Sequence, residues 1–328
     1  MSMRPSVIFL LGLALALCAT NATRPAVAQA LPERPIRLVV PSAAGGGTDI
    51  LARNLAQKLS EKFGLTVIVE NKVGAGSLIG TTYVANAAPD GTTLMMGGLF
   101  NMVMNSALLA KLPYNPLTDF TVVDYVSAYP FVALTNADLG VSTLGGFVDY
   151  AKARPGQLNV GSAGLGTLHH VWGTILTKSL GLDMSLVHYR GAAPAQQDLI
   201  AGRLQFLFDN VSAAKGLVQD GRVKALGVSS PVRTKLMPDV PTINESGLLE
   251  FTGESWFGVF APAKTPEATL AALRKALNGV VYDPAFISVV ERDGGRVLDV
   301  APEKQSEFLR AEIDHWSALV RKYDVKAE

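Results

Sequence analysis

Two strand–glycine loop–helix units constrain the fold more than any other feature of this 328-residue chain. In the first, the apolar run 37–40 leads into Gly45-Gly-Gly-Thr-Asp49, and an amphipathic helix follows directly. About 120 residues later, the run 158–161 leads into Gly161-Ser-Ala-Gly-Leu-Gly-Thr167 and a second helix. Such a unit aims free backbone N–H groups and a helix N-terminus at one point, which suits an anion.

Strand and helix patterns alternate along the rest of the chain. The short β-branched runs 36–40 and 66–70 predict buried strands, and apolar residues at every fourth position of 49–63 predict a helix. Further strands are predicted at 93–96, 158–161, 185–189, 204–209, 225–229 and 255–262, and further helices at 77–88, 144–153, 169–180, 193–201, 213–220, 266–280 and 302–323. Repeated βαβ units predict an α/β fold with mainly parallel sheets flanked by helices.

The spacing of the two glycine loops predicts two similar lobes. A ligand would lie between the loops, at the carboxyl ends of the strands. We expect residues 31–128 and 258–328 to form lobe 1 and residues 129–257 to form lobe 2. The chain would then cross twice between the lobes, near 127–132 and 254–258, which is a hinge arrangement suited to closure around a ligand.

Residues 1–30 are predicted to be a cleavable signal peptide. Arg4 supplies a positive charge, residues 7–19 are apolar, and Ala26-Val27-Ala28 or Ala28-Gln29-Ala30 offers a cleavage site. Cys18 is the only cysteine, and Leu17 before it argues against a lipid attachment site. We therefore expect a periplasmic protein without thiol chemistry.

The charge of the predicted mature chain excludes several partners. Without Arg4 and Arg24 the chain has 27 basic and 28 acidic residues, and it has no basic run. This near-neutral balance argues against binding to nucleic acid or to an anionic membrane surface.

Sequence signatures of enzymes are missing from the chain. It contains neither a phosphate-binding Gly-x-x-x-x-Gly-Lys loop nor a Gly-x-Ser-x-Gly nucleophile motif, and the run Gly74–Gly80 lacks dinucleotide spacing. Adjacent His169 and His170 point to different sides of a helix and do not easily chelate one metal, so we expect neither a metal nor a cofactor. The first loop carries no lysine, arginine or histidine, which favours a receptor over an enzyme.

Candidate ligand contacts lie in both loops. In the first loop they are Ser42, Ala43, Gly46, Thr48 and Asp49. Asp49 is either a helix cap or a partner for a ligand hydroxyl, an ammonium group or a bridging water. In the second loop they are Ser162, Gly164 and Thr167, whose polar groups act as turn formers, helix caps or ligand donors.

Four further side chains are candidates outside the loops proper. His170 either contacts the ligand or packs and caps its helix, and Arg190 either clamps a second carboxylate or forms a surface salt bridge. Asp209, at the end of an apolar strand, is expected to be buried at the lobe interface, in a structural or a ligand-binding role. Trp256 either walls the pocket or packs in the core.

Many ordered motifs resemble the tripartite tricarboxylate transporter substrate-binding receptors, also called Bug receptors. They span the whole predicted mature chain and are Arg34-Pro-Ile-Arg-Leu-Val-Val-Pro41, Gly45–Asp49, Val69-Glu-Asn-Lys-Val-Gly-Ala-Gly76, Ala88-Pro-Asp-Gly91, Ser162–Thr167 with His170, Tyr189-Arg-Gly-Ala-Ala-Pro194, Phe208-Asp-Asn210, Met237-Pro-Asp-Val-Pro-Thr242 and Glu254-Ser-Trp256. The resemblance implies a two-lobed periplasmic binding fold, type II-like, that closes on a small carboxylate. Backbone groups and trapped waters of the loops 42–49 and 162–167 would hold the carboxylate. Membrane permease subunits would then receive it, and we expect the receptor to be a monomer.

Departures from the family pattern bear on the ligand. Ala43 replaces a residue that is often aromatic in the family, Leu165 stands where a polar residue is common, and 97–104 is unusually apolar. These features favour an aromatic acid of the benzoate or terephthalate type over citrate. Two alternatives stay open at this point: a periplasmic hydrolase or isomerase using His170 or Asp49, and a receptor that signals to a sensor protein.

Overall fold

The computed structural model describes residues 31–32 and 34–326. The predicted signal peptide, residues 1–30, lies outside this part of the chain. The strands are β1 (Ile36–Val40), β2 (Val67–Asn71), β3 (Thr93–Gly98), β4 (Phe120–Asn136), β5 (Leu158–Ser162), β6 (Met184–His188), β7 (Phe206–Asn210), β8 (Val223–Val228), β9 (Glu254–Pro262) and β10 (Arg296–Val297). The α-helices are α1 (Gly47–Phe63), α2 (Leu78–Ala85), α3 (Asn105–Leu108), α4 (Leu144–Lys152), α5 (Leu168–Ser179), α6 (Ala192–Ile200), α7 (Val211–Gln219), α8 (Glu267–Val281), α9 (Pro284–Arg292) and α10 (Gln305–Lys322).

The strands follow the order β2-β1-β3-β9-β4-β7-β5-β6, and β8 and β10 also pair with β4. Strands joined through helices, such as β1 with β2 and β5 with β6, are parallel, as the βαβ pattern predicts. The long strands β4 and β9 instead pair antiparallel with their neighbours, because they do not enter the sheet through a βαβ unit. The predicted α/β class is confirmed.

Strand β4 connects the two halves of the molecule. Its residues 120–130 pair with β9, whereas 131–136 pair with β7 and β8. The chain returns to the first half of the sheet just before β9. The Gly253 N–H still donates to the Ser229 carbonyl at 2.9 Å, whereas Glu254 already pairs with Pro130. We propose 130/131 and 253/254 as the lobe boundaries, instead of 128/129 and 257/258.

Apolar side chains on both faces of the sheet form the cores. In the first half, Leu51, Leu55 and Leu59 of α1 are buried in one cluster with β1 and α8. In the second half, Trp172 of α5 is fully buried and stacks on Trp316 of α10 at 5.8 Å. Helix α5 is thereby fixed against the carboxyl-terminal helix.

The apolar segment 97–104 is mostly core. It ends β3 and continues as a π-helical turn at Phe100–Met104, in which Met102, Val103 and Met104 have no exposed surface. Among the described residues, no helix combines the length and apolar character needed to cross a bilayer.

Candidate functional site

The first glycine loop presents an uncapped helix N-terminus. Helix α1 begins after Gly46, which offers no side chain to cap it, and Gly45 adopts a φ of 79° that favours glycine. The Gly47 and Thr48 positions line a large cleft. Their backbone N–H groups belong to the first turn, where helical geometry provides no acceptor. This end of the cleft is therefore suited to an anion.

Asp49 supports this loop from behind and is not its cap. The side chain is 2% exposed, and its Oδ2 accepts hydrogen bonds from the Gly45 N–H at 2.8 Å and from Arg53 Nε at 2.9 Å. Oδ1 accepts from Asn71 Nδ2 at 2.9 Å, which ties the loop to β2. The Arg53 hydrogen bond, followed by that from Gly45, lowers the pKa of Asp49 to about 2. Asp49 thus keeps its charge and fixes the loop conformation.

The second glycine loop is capped by its own threonine. Thr167 Oγ1 accepts from the His170 N–H at 3.4 Å and donates to the Gly164 carbonyl at 2.7 Å. Ser162 Oγ accepts from the Gly164 N–H at 3.3 Å and lies 2.7 Å from His188 Nδ1. Since Ser162 is fully buried, its hydroxyl holds the loop and is not available as a nucleophile.

His170 also supports the second loop from behind. It is 3% exposed, and its Nδ1 accepts from the Gly166 N–H at 3.1 Å. Its ring packs edge-on against His188 at 4.9 Å. Burial, and then the nearby His188 and Lys178, lower the pKa of His170 to about 4. The side chain does not line the cleft, so of the two roles considered for His170 the structure supports packing and not ligand contact.

His169, and not the neighbouring His170, lines the cleft. Its Nε2 lies 3.4 Å from Oδ1 of Asp209. Asp209 has no exposed surface, and its Oδ2 accepts from Gln196 Nε2 at 2.6 Å. Asp209 is therefore buried, as expected, and lies behind a histidine at the cleft wall. The sequence showed two adjacent histidines but not which one faces the ligand space.

The cleft has a volume of about 600 Å³ and lies where both loops meet. Its polar lining consists of Ser42, Thr48, Asn54, Ser77, Asn101, Thr167, His169, Asn210, Ser212, Ser255 and Asp293. Four aromatic side chains also line it: Phe100, Tyr129, Phe131 and Phe257. The lining residues of the described chain include no lysine or arginine. A negatively charged group entering the cleft would be held by N–H and hydroxyl groups and by His169.

Three predicted contacts line the cleft: Ser42, Thr48 and Thr167. Ser42 Oγ is buried and finds no hydrogen-bond partner within the described structure, so it is free for a ligand. Gly46 and Gly164 shape the two loops without lining the cleft, and Ala43 is exposed outside it. Arg190 is exposed and does not line the cleft either, so the structure gives no support to a carboxylate clamp there.

Trp256 packs in the core, which is the second of the two roles considered for it, and does not line the cleft. It is 2% exposed, its Nε1 donates to Glu312 Oε2 at 2.8 Å, and its ring packs edge-on against Tyr125 at 5.3 Å. Its neighbours Ser255 and Phe257 line the cleft instead, because successive side chains of a strand point to opposite faces.

Within the described residues, no group of three or more histidine, aspartate or glutamate side chains is placed to hold a metal ion. The site consists of two glycine loops that precede helix N-termini, a set of apolar and aromatic side chains, and a single histidine. This arrangement of the described residues includes no hydrogen bond between His169 Nε2 and a hydroxyl group. Together with the two-part sheet, it defines a two-lobed solute-binding receptor.

Comparisons with known proteins identify the family. Residues 51–325 match the tripartite tricarboxylate transporter family receptor. The chain therefore belongs to this family of receptors, as its motifs indicated, and it is a receptor and not an enzyme.

Relatives align over nearly the full chain. The "UPF0065 protein in tcbD-tcbE intergenic region" of Pseudomonas sp. (strain P51) is 34% identical over 97% of this chain and 94% of its own. The R. palustris protein Rpa4515, solved with adipate, superposes with a TM-score of 0.77 at 29% identity, covering 90% of this chain and 99% of its own. MatC from Rhodopseudomonas palustris, solved with bound malate, superposes with a TM-score of 0.73 at 33% identity. The match covers 88% of this chain and 100% of the MatC chain. These likenesses confirm the predicted two-lobed binding fold.

Proposed function

We propose that this protein is a periplasmic receptor that captures a small organic carboxylate, with an aromatic body preferred, and delivers it to a tripartite tricarboxylate-type membrane transporter. The observation that carries the proposal is the convergence of two glycine-loop helix N-termini on one cleft. Oriented N–H dipoles at such termini replace the water around a carboxylate. Two relatives of known structure hold the dicarboxylates adipate and malate, which supports this ligand class.

The aromatic preference has a different basis from the one that the sequence suggested. Leu165 is 48% exposed and lies outside the cleft, and the methionines of 97–104 are core. The four aromatic side chains of the lining support the preference instead. Tyr129 and Phe257 pack edge-on at 5.9 Å and form an apolar wall of the cleft, which Phe131 and Phe100 also line. An aromatic ring seated there gains about 0.5–1.5 kcal/mol per ring pair beyond area burial.

Capture works through closure of the lobes. The first loop belongs to one half of the sheet and the second loop to the other, and β4 and β9 connect the halves. A carboxylate that contacts both loops interacts more strongly with the closed state than with the open one, and this difference in affinity drives closure. The predicted signal peptide and the family assignment support export to the periplasm and transfer to a permease.

A thermal-shift screen of the refolded mature protein tests the ligand class. The panel holds benzoate, terephthalate, adipate, malate and citrate, together with benzamide and terephthalamide as uncharged controls. We expect terephthalate or benzoate to raise the Tm most and the amides to leave it unchanged, because the cradles bind an anion. A ligand at 100 times its Kd adds about 2.7 kcal/mol to the free energy of unfolding. A Tm that no acid raises would contradict the proposal. A larger increase with citrate than with the aromatic acids would contradict the proposed preference for an aromatic ligand.

Substitution at the apolar wall separates the aromatic body from the carboxylate. Phe257→Ala is expected to weaken terephthalate binding about tenfold and adipate binding much less, because only the ring loses its packing partner. Trp256→Phe is the matched control, since it alters the adjacent aromatic residue in the core and leaves the cleft intact. Isothermal titration calorimetry gives both Kd values. Equal losses for terephthalate and adipate in Phe257→Ala would remove the case for an aromatic body.

A further inference from the structure

His169 occupies a distinctive electrostatic position. It is the only lysine, arginine or histidine among the lining residues of the described chain. Its Nε2 is buried, 3.4 Å from the Asp209 carboxylate, in ion-pair range but without hydrogen-bond alignment. Its ring packs edge-on against Phe131 at 5.0 Å, which fixes the plane of the imidazole. Nε2 is thereby directed to Asp209, and Nδ1 is the ring nitrogen left for a ligand.

Asp209 supplies a buried negative charge directly behind this ring. Its oxygens accept from Gln196 Nε2 at 2.6 Å and from the Asn210 N–H at 2.8 Å. Both donors are neutral, so the carboxylate has hydrogen bonds but no full counter-charge from them. A buried ion without a partner of opposite charge is costly. A ligand carboxylate on the other side of His169 would place the imidazole between two anions.

We infer that His169 binds the ligand carboxylate as an imidazolium, and that the receptor therefore takes up a proton together with its ligand. This inference rests on the proposed function. The proton goes to the His169 ring, which then forms an ion pair with Asp209 through Nε2 and donates a hydrogen bond from Nδ1 to the ligand. An opposite charge within about 4–6 Å on each side stabilises the charged form of the ring. Binding and protonation therefore strengthen each other.

Other charged groups around His169 do not account for such an uptake. Asp293, from the end of α9, lines the cleft but is half exposed and lies beside Arg292 at 3.7 Å. Asp49 is engaged with Arg53 behind the first loop. On the far side of α5, burial lowers the pKa of His170 to about 4, so it stays neutral at pH 7. His188 contacts Ser162 outside the cleft.

Titration calorimetry in two buffers measures the uptake. Whichever of terephthalate, adipate or malate stabilises the protein most is titrated at pH 7.5 in phosphate and in Tris, whose ionisation enthalpies differ. Carboxylic acids are fully ionised at this pH, so any proton taken up enters the protein. The dependence of the apparent enthalpy on the buffer gives the number of protons. We expect a net uptake of protons on binding, and a Kd that increases with pH by no more than about tenfold per pH unit, the limit for one proton.

Variants assign the proton to one residue. His169→Gln keeps a hydrogen-bonding side chain that cannot titrate, so we expect weaker binding, no uptake and a Kd independent of pH. His169→Arg supplies a permanent cation and is expected to bind without uptake and with more affinity than His169→Gln. His315→Gln, at an exposed position outside the cleft, is the matched control and should behave as the wild-type protein.

The outcomes distinguish this inference from the proposed function. Binding by the wild-type protein without proton uptake, or an uptake that persists in His169→Gln, overturns the inference and leaves carboxylate capture intact. Absence of binding by every acid of the thermal-shift panel overturns both. Uptake that disappears in His169→Gln and persists in His315→Gln supports the inference.

Discussion

The two glycine loops both lead into the N-terminus of a helix but are supported by different chemistry. The first is fixed by the buried carboxylate of Asp49, which is bonded to the loop, to its own helix and to β2. The second is fixed by the Thr167 cap and by His170, whose neutral ring accepts a loop N–H. The comparison shows that a glycine loop before a helix is held by a carboxylate in one lobe and by a neutral imidazole in the other. We therefore expect the two loops to lose their stabilising contacts under different conditions.

The largest effect is expected at the support of the first loop. Asp49→Ala removes three hydrogen bonds and leaves the Gly45 N–H without its acceptor, while Asn71 Nδ2 keeps only the Ser42 carbonyl. We expect the free energy of unfolding to fall by about 3 kcal/mol, measured by urea denaturation. Arg53→Gln is the control. Its side chain is 52% exposed and the other two bonds to Asp49 remain, so the loss should be much smaller. Equal losses of stability in the two variants would show that the stabilisation comes from the ion pair with Arg53 and not from the hydrogen bond to the loop.

The second loop is expected to weaken in mild acid, whereas the first is not. The pKa of His170 is about 4 in the folded protein and 6.5 as its ordinary value, so the unfolded chain binds more protons between these limits. This contribution to the free energy of unfolding is present above about pH 6.5 and is lost as the pH falls to about 4, amounting to at most about 3 kcal/mol. Asp49, whose pKa falls from 3.8 to about 2, loses its contribution only below this range.

Urea denaturation at pH 7, 6, 5 and 4 checks this, with His170→Gln compared against the wild-type protein. We expect the difference in stability between the two proteins to shrink as the pH falls. Burial raises the pKa of Asp124 to about 6, which acts in the opposite direction, but it does so in both proteins and cancels in the difference. A difference that is constant with pH would contradict the neutral-imidazole support.

The smallest effect concerns the caps. Thr167→Ala and Thr143→Ala each remove a hydroxyl that caps a helix, α5 and α4 respectively. Each should lower the free energy of unfolding by about 1 kcal/mol. Only Thr167→Ala should also raise the Kd for the carboxylate, because Thr167 lines the cleft and Thr143 does not. If both caps changed the Kd alike, the effect on binding would follow from general destabilisation and not from the loop.

The order of the elements could be predicted from local pattern. Every predicted strand and helix has a counterpart in the structure, with ends shifted by at most three residues. Helix α9 was missed although Asp283 caps it and Pro284 follows at its first position. The long strand β4 was also missed, because it is buried on both faces over most of its length and shows no alternation. Without alternation, neither its length nor its antiparallel partners can be inferred.

The sequence by itself determined the α/β class, the two glycine loops and the family, because these depend on short-range spacing and on ordered motifs. The tertiary structure decided which of two neighbouring residues faces the cleft: His169 and not His170, Phe257 and not Trp256. It also decided that Asp49 supports its loop. Adjacent positions differ by a rotation of the backbone, and only the packing of the second lobe against the first shows which side of each element is left for a ligand.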